Sequence, residues 1–102
     1  GVSGRAAQKV AEKMADVARH KQVLCVTHLP QIAAMADTHF SVEKGERDGR
    51  TYTAVERLDK TRRREELARL TGGAHRRSAM LDSAGELLEA AETYKRGYNG
   101  EK

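Results

Sequence analysis

The feature that most constrains the fold is a run of four apolar residues, Val23-Leu-Cys-Val26, with polar residues on both sides. Two of the four are β-branched, which predicts a strand over residues 22–27 that is buried on both faces. Such strands lie inside parallel sheets that helices cover, so the predicted fold class is α/β.

An amphipathic helix is predicted before this strand, with Ser3 as its cap and its end near residues 19–20. Its apolar positions are Ala7, Val10, Ala11, Met14, Val17 and Ala18. A helix that leads into a buried strand is half of a βαβ unit. We therefore expect the first strand of that unit to lie outside this chain.

The middle of the chain predicts a short helix and a β-hairpin. Pro30 suits the first turn of a helix over residues 31–36. Residues 38–44 and 51–58 are β-prone, and Asp48-Gly49 between them is a turn signal. The half-polar pattern of these strands is typical of the edge of a sheet.

Two helices are predicted in the last third of the chain. The first covers residues 62–70 with Leu67 and Leu70 inward, and Gly72-Gly73 ends it. The second starts at Ser78, and its charges and two glycines predict fraying over residues 94–102. Its apolar stripe consists of Met80, Leu81, Ala84, Leu87, Leu88 and Ala91.

Length and composition exclude several classes of protein. With 102 residues, of which 38% are hydrophobic and 33% charged, the chain can form one domain with a modest core. It contains no apolar run long enough to cross a membrane, and we expect no signal peptide because residues 1–19 lack a continuous apolar stretch. A single cysteine, Cys25, excludes an intrachain disulfide, favours a reducing cytoplasm and is expected in the core because its neighbours are aliphatic.

Positive charge is concentrated in residues 60–77, which hold seven basic residues and two acidic ones. Arg62, Arg63 and Arg64 form its centre and are the candidate DNA-binding residues, because clustered cations can contact phosphates. The alternative is an ordinary solvated helix face. The sequence leaves both interpretations open.

His28 is the candidate catalytic residue, because it follows the predicted buried strand. The carboxyl edge of an open α/β sheet is where ligands bind. An imidazole at that edge can donate to a phosphate oxygen or hold an attacking water. A turn histidine with satisfied hydrogen bonds is the alternative interpretation.

Four stretches carry a resemblance to a known family. They are residues 1–13 (GVSGRAAQKVAEK), 22–37 (QVLCVTHLPQIAAMAD), the 40–58 hairpin and 66–73 (ELARLTGG). Together they resemble the RecN family of bacterial DNA repair proteins, an SMC-like branch of the ATP-binding cassette ATPases. The resemblance covers residues 1–73 well and residues 78–92 more weakly.

The resemblance implies a fold and roles for particular residues. Residues 1–93 would be the C-terminal part of a P-loop NTPase head, and residues 94–102 a tail. Val2, Ser3 and Gly4 fall on the D-loop, which crosses the interface between two heads. Ser3 replaces the Asp of generic SMC proteins, so no carboxylate role carries over. His28 falls on the switch histidine near the γ-phosphate, and Thr27 shapes its loop.

The resemblance also implies partners. The intact protein would bind ATP and Mg²⁺ between two heads of a homodimer and act on DNA in recombinational repair of double-strand breaks, within the SOS response to DNA damage. Its expected partners are the N-terminal part of the same head, a second head and DNA, without a membrane. Its expected location is the bacterial cytoplasm at the nucleoid.

Two nucleotide-binding motifs are absent from the sequence. It contains no G-x-x-x-x-G-K-[ST] loop, and no strand ending in Asp-Glu precedes Gly1. Because phosphoryl transfer needs those parts together, we expect the chain alone to be inactive and to bind no nucleotide tightly. The alternative function is a non-enzymatic basic module for DNA binding or dimerisation. We also expect marginal stability and self-association, because the missing strands would leave a sheet edge exposed.

Overall fold

The computed structural model describes residues 4–72 and 76–100, the last three of these by their backbone alone. Four helices and one hairpin occur in these ranges. In chain order they are α1 (Gly4–Ala18), α2 (Pro30–Met35), β1 (Phe40–Arg47), β2 (Arg50–Arg57), α3 (Lys60–Thr71) and α4 (Arg77–Gly100). None of the helices in the described part of the chain is long and apolar enough to cross a membrane.

The core lies where α2 packs against the other three helices, and small side chains dominate it. Leu67 of α3 is the largest fully buried side chain among the described residues. The other members of the central cluster are Ala11, Ala15, Ala33, Ala34, Met35, Ala68, Ala84 and Ala91. Alanine allows helices to approach closely but buries little apolar area, so each contact contributes little to stability.

Helix α1 forms where the apolar spacing predicted it, but its buried face is narrower. Ala7, Ala11 and Ala15 are buried. Val10 and Val17, which were expected on the same face, are 46% and 38% exposed. The described residues therefore leave part of the apolar surface of α1 uncovered.

The predicted strand over residues 22–27 is wrong for the chain as described. These residues form no strand, and Leu24 and Val26 are 92% and 98% exposed. Cys25, expected in the core, is exposed as well. A strand needs hydrogen-bonding neighbours, and the described residues offer none, since the only sheet among them is the two-stranded hairpin. The α/β class is confirmed only in the coarse sense of helices with an antiparallel two-stranded sheet.

The predicted hairpin is confirmed, turn included. Strands β1 and β2 pair antiparallel from Phe40 opposite Arg57 to Arg47 opposite Arg50. Asp48 and Gly49 connect them with φ values of 53° and 75°. Two positive φ values in a two-residue loop define a type I′ turn, whose twist matches that of the strands.

Helices α2 and α3 also follow their sequence signals. Pro30 stands in the first turn of α2. The Asp59 side chain caps α3 by accepting from the Arg62 backbone amide at 2.8 Å. Gly72, with φ 66°, ends α3 in a conformation that favours glycine. Gly73, also expected at this boundary, lies outside the described residues.

Helix α4 differs from its prediction at both ends. It begins at Arg77, so Ser78 is helical rather than the cap. It continues to Gly100 although fraying was predicted from residue 94. Two contacts hold this part: Tyr94 donates to Asp16 of α1 at 3.0 Å, and the Lys95 ammonium contacts Asp37 at 3.0 Å. The predicted apolar stripe does pack on the core.

Candidate functional site

The segment that leads into α2 holds the His28 side chain at the surface. His28 is exposed and Thr27 is partly buried. The Thr27 hydroxyl oxygen accepts from the Leu29 backbone amide at 3.0 Å. The Leu29 carbonyl in turn accepts from the Ala33 amide at 3.0 Å, the first bond of the helix. These two bonds fix the backbone on the α2 side of His28 and leave its imidazole facing solvent.

Gly4 lies beside the same segment. A Cβ built on Gly4 would stand 3.5 Å from Nε2 of Gln31, three residues after His28. The fold thus brings the start of α1 close to the start of α2. Of the three residues that the resemblance placed at a head interface, Gly4 is described, whereas Val2 and Ser3 lie outside the described residues.

Two cations from distant parts of the chain hold the other end of α2. The Arg63 guanidinium donates to the carbonyls of Ala33, Ala34 and Ala36 at 3.1–3.3 Å. The Lys95 ammonium donates to the Met35 carbonyl at 3.0 Å. The last carbonyls of a helix have no intrahelical partner and carry partial negative charge, so cations stabilise them. We call Arg63 and Lys95 the α2 clamp; it positions the short helix that His28 precedes.

An open cleft of about 550 Å³ lies beside the clamp, with His39 and Arg63 in its lining. Burial lowers the pKa of His39, and the positive charge of Arg63 lowers it further, while Glu66 opposes both effects. Burial also lowers the pKa of Arg63. The cleft has as many acidic as basic side chains, namely Asp37, Asp59 and Glu92 against Arg57, Lys60 and Arg63. This balance gives it no preference for a phosphate over a cation.

The three candidate DNA-binding arginines all have intramolecular partners. Arg62 forms an ion pair with Glu56 of β2 at 2.7 Å. Arg63 belongs to the α2 clamp. Arg64 donates to the Leu81 carbonyl of α4 at 2.7 Å and also contacts Asp82. DNA binding by this cluster stays a prediction, and it would have to compete with these contacts.

Two further arginines of the basic cluster, Arg69 and Arg77, also have intramolecular partners. Arg69 pairs with Glu66, which lowers the pKa of that carboxyl mainly through their hydrogen bond. Arg77 lies 3.7 Å from Glu65. Gly85 leaves room for Arg64, because a Cβ there would stand 3.2 Å from the Arg64 Nε. Much of the local charge is therefore used to join α3 to its neighbours.

The described residues bring together no three His, Cys, Asp or Glu side chains that could hold a metal ion. Among the predicted site residues, the fold places Gly4, Thr27 and His28 at one end of the helical body. Arg62–Arg64 lie on a different element, α3. The α2 clamp could not be predicted from the sequence, because no local pattern connects Lys95 with a helix that ends 60 residues earlier.

Comparison with known proteins identifies the family, although no family model matches the chain. A DNA repair protein RecN of Bacillus subtilis is 47% identical over 95 residues, which are 93% of this chain and 16% of that protein. RecN of Deinococcus radiodurans is 48% identical over 88 residues, and RecN of Treponema pallidum is 39% identical over 101. The chain spans about a sixth of the length of these relatives. It therefore belongs to the RecN family, in which it matches the C-terminal part.

Proposed function

We propose that this chain is the C-terminal part of an ATPase head of the P-loop NTPase type, which acts in the repair of DNA double-strand breaks. The observation that carries the proposal is the exposed apolar run at Leu24 and Val26, directly before the exposed His28. The relatives' name, DNA repair protein RecN, supports the biological role. Residues 1–93 would form the head portion, and the end of α4 the tail.

An exposed apolar run is costly, which supports a covering partner. Full burial of one large aliphatic side chain stabilises a fold by roughly 1.5–3 kcal/mol. The backbone of residues 22–27 also needs strand partners, which the described residues do not supply. In the proposed head, strands from the N-terminal part of the protein cover this segment and bring it into a parallel sheet. His28 would then stand at the carboxyl edge, where such sheets bind ligands.

In this proposal His28 donates a hydrogen bond to the γ-phosphate of ATP or accepts one from the attacking water. Thr27 fixes the loop through its bond to Leu29. Gly4, with Val2 and Ser3, forms the D-loop towards a second head. One imidazole does not bind Mg²⁺-ATP, so the phosphate loop and the metal ligands must come from residues outside this chain.

The proposal implies a homodimer of heads that binds ATP at its interface and acts on DNA, within the bacterial cytoplasm at the nucleoid. The alternative is a non-enzymatic basic module that binds DNA or dimerises. The two are separated by ATP hydrolysis, which only the first proposal makes dependent on His28.

The test is a chimaera in which this chain replaces the matching C-terminal part of the Bacillus subtilis RecN. We expect the chimaera to hydrolyse ATP, and His28→Ala to lower its rate about 10²-fold, the usual contribution of one positioned proton donor. The measurement is phosphate release by the purified protein. His20→Ala is the matched control, because His20 is also exposed and lies in the turn that follows α1.

A chimaera that hydrolyses ATP equally fast with His28→Ala and with His20→Ala would refute the catalytic role of His28. A chimaera that folds but hydrolyses no ATP would refute the proposed head. Helix content, measured by circular dichroism, shows whether each variant is folded.

A further inference from the structure

We propose that the tip of the β1–β2 hairpin binds the sugar–phosphate backbone of DNA through Arg47, Arg50 and Tyr52. This inference rests on the proposed function for the class of partner. It places the DNA contact on the β1–β2 hairpin and not on the arginine cluster of α3. We call these three residues the hairpin tip.

The hairpin is an exposed arm. All residues of β2 are exposed, and on β1 only Ser41 and Gly45 are partly covered. Eight residues in each strand give an arm of about 26 Å. At its base, the Leu58 amide donates to the His39 carbonyl at 2.9 Å, and Glu56 pairs with Arg62. The far end therefore stands clear of the described helices and can reach a large ligand.

Two like charges face each other at this far end. Arg47 and Arg50 are register partners, the last pair before the turn. Like charges directly opposite each other in a sheet are destabilising. Both side chains are exposed, and neither forms an ion pair with any residue of the described ranges. A residue pair that destabilises the fold is expected where its residues bind a ligand. The phosphates of a DNA backbone would neutralise the charges of both arginines.

Tyr52 lies on the same face of the hairpin as the two arginines and contacts one of them, Arg47. The Arg47 guanidinium lies 5.3 Å from the centre of the Tyr52 ring, within the range of a cation–π contact. Tyr52 is opposite Gly45, and a Cβ on Gly45 would come within 2.6 Å of Cζ of the ring. The absence of a side chain at position 45 therefore lets the ring lie against β1. The ring is 44% exposed, which leaves it accessible for contact with a sugar or a base.

Two acidic residues of the hairpin share the face of the tip, but Glu43 lies four residues from Arg47 and Glu56 pairs with Arg62 at the base. By strand alternation Glu46 lies on the opposite face from Arg47, and Asp48 belongs to the turn. The arginines of α3 contrast with the tip, because Arg62, Arg63 and Arg64 are all engaged within the molecule. Since contacts to phosphates carry no sequence information, binding should be insensitive to DNA sequence.

The test measures binding of the 102-residue chain to a fluorescently labelled duplex as salt is raised. We expect Arg47→Ala with Arg50→Ala to weaken binding by roughly tenfold or more near 0.1 M salt and to reduce the salt slope by about 1.8, or 0.9 for each phosphate that is no longer neutralised. Tyr52→Phe, which keeps the ring, should retain the affinity. The matched control is Arg5→Ala with Lys9→Ala, which removes the same charge from exposed positions of α1.

Equal loss of affinity in the tip pair and the control pair would overturn the inference, because net charge alone would then explain binding. Failure of the unmodified chain to bind the duplex at low salt would also overturn it. ATP hydrolysis by the chimaera separates the two proposals: the tip variant should keep that activity. If it does so without any change in DNA binding, the inference fails and the proposed head stands.

Discussion

At the scale of single residues, the partner of a charge decides what that charge can do. Arg63 looked like one of three equivalent surface arginines in the sequence. In the structure it is half-buried and donates to three carbonyls at the end of α2. Hydrogen bonds from a charged donor contribute roughly 1.5–3 kcal/mol each when well sheltered, so Arg63 is better explained by folding than by ligand binding.

His39 makes stability depend on pH in a defined direction. Its pKa in the folded chain lies below the ordinary value of 6.5, mainly because of burial and secondly because of Arg63. The unfolded chain therefore binds more protons as the pH falls below 6.5. Folding stability from this source is complete above pH 6.5 and is lost as the pH falls through the folded pKa.

We therefore expect the free energy of unfolding, measured with urea, to decrease as the pH falls below 6.5, the ordinary pKa of histidine. His39→Asn should remove this decrease, since an amide does not titrate. His20→Asn, at an exposed position, should keep it. Glu66 acts in a separate window, because its pKa is lowered from 4.5 and the stability it confers is lost only at more acid pH. A decrease of the same size in His39→Asn and the unmodified chain would contradict the assignment to His39.

At the scale of elements, local signals were sufficient wherever the element is stabilised locally. Asp48-Gly49 determines its own turn, Pro30 begins α2, and Gly72 ends α3, so these boundaries could be predicted. The 22–27 strand could not be confirmed, because a buried strand depends on neighbours in other parts of a protein. The α2 clamp could not be predicted for a related reason: both of its cations come from distant helices.

The hairpin offers a direct test of whether its end is optimised for folding or for binding. Arg50→Glu replaces a repulsive cross-strand pair with an attractive one opposite Arg47. We expect this change to stabilise the hairpin by roughly 0.2–1 kcal/mol, the usual size of such pairs. The same change should weaken DNA binding, because it reverses one of the two charges at the tip.

Thermal unfolding and the duplex titration, performed on the same preparation, give both readouts. A charge change at Glu56 would not be a suitable control, because it would also break the ion pair between Glu56 and Arg62. Lys44→Glu is suitable, since it also reverses one positive charge but lies on the opposite face of the hairpin. Tighter DNA binding by Arg50→Glu would contradict the binding role of the tip, and a marked fall in its stability would show that the two arginines do not conflict.

At the scale of the whole molecule, the described fold has a small core and a large uncovered apolar surface. The buried cluster consists mainly of alanine. Outside this cluster, two valines of α1, Val10 and Val17, are partly exposed. Leu24 and Val26 of the Val23–Val26 run are almost fully exposed. A body of this kind gains stability from whatever covers those residues, and the proposed remainder of the head would do so within the intact protein.

When the rest of the head is absent, a second copy of the chain can cover these exposed apolar residues. We expect the isolated chain to self-associate in a concentration-dependent way, because residues 22–27 combine apolar side chains with unpaired backbone groups. Leu24→Lys with Val26→Lys should shift the mass measured by sedimentation velocity towards the monomer, since lysine on an unpaired edge opposes strand addition. The control is Val55→Lys, compared with Val26→Lys alone, because Val55 is 63% exposed but lies in a strand that is already paired. A monomer at all concentrations would show that the exposed run needs no cover. An equal shift in Val26→Lys and Val55→Lys would show that apolar area, rather than the unpaired segment, drives association.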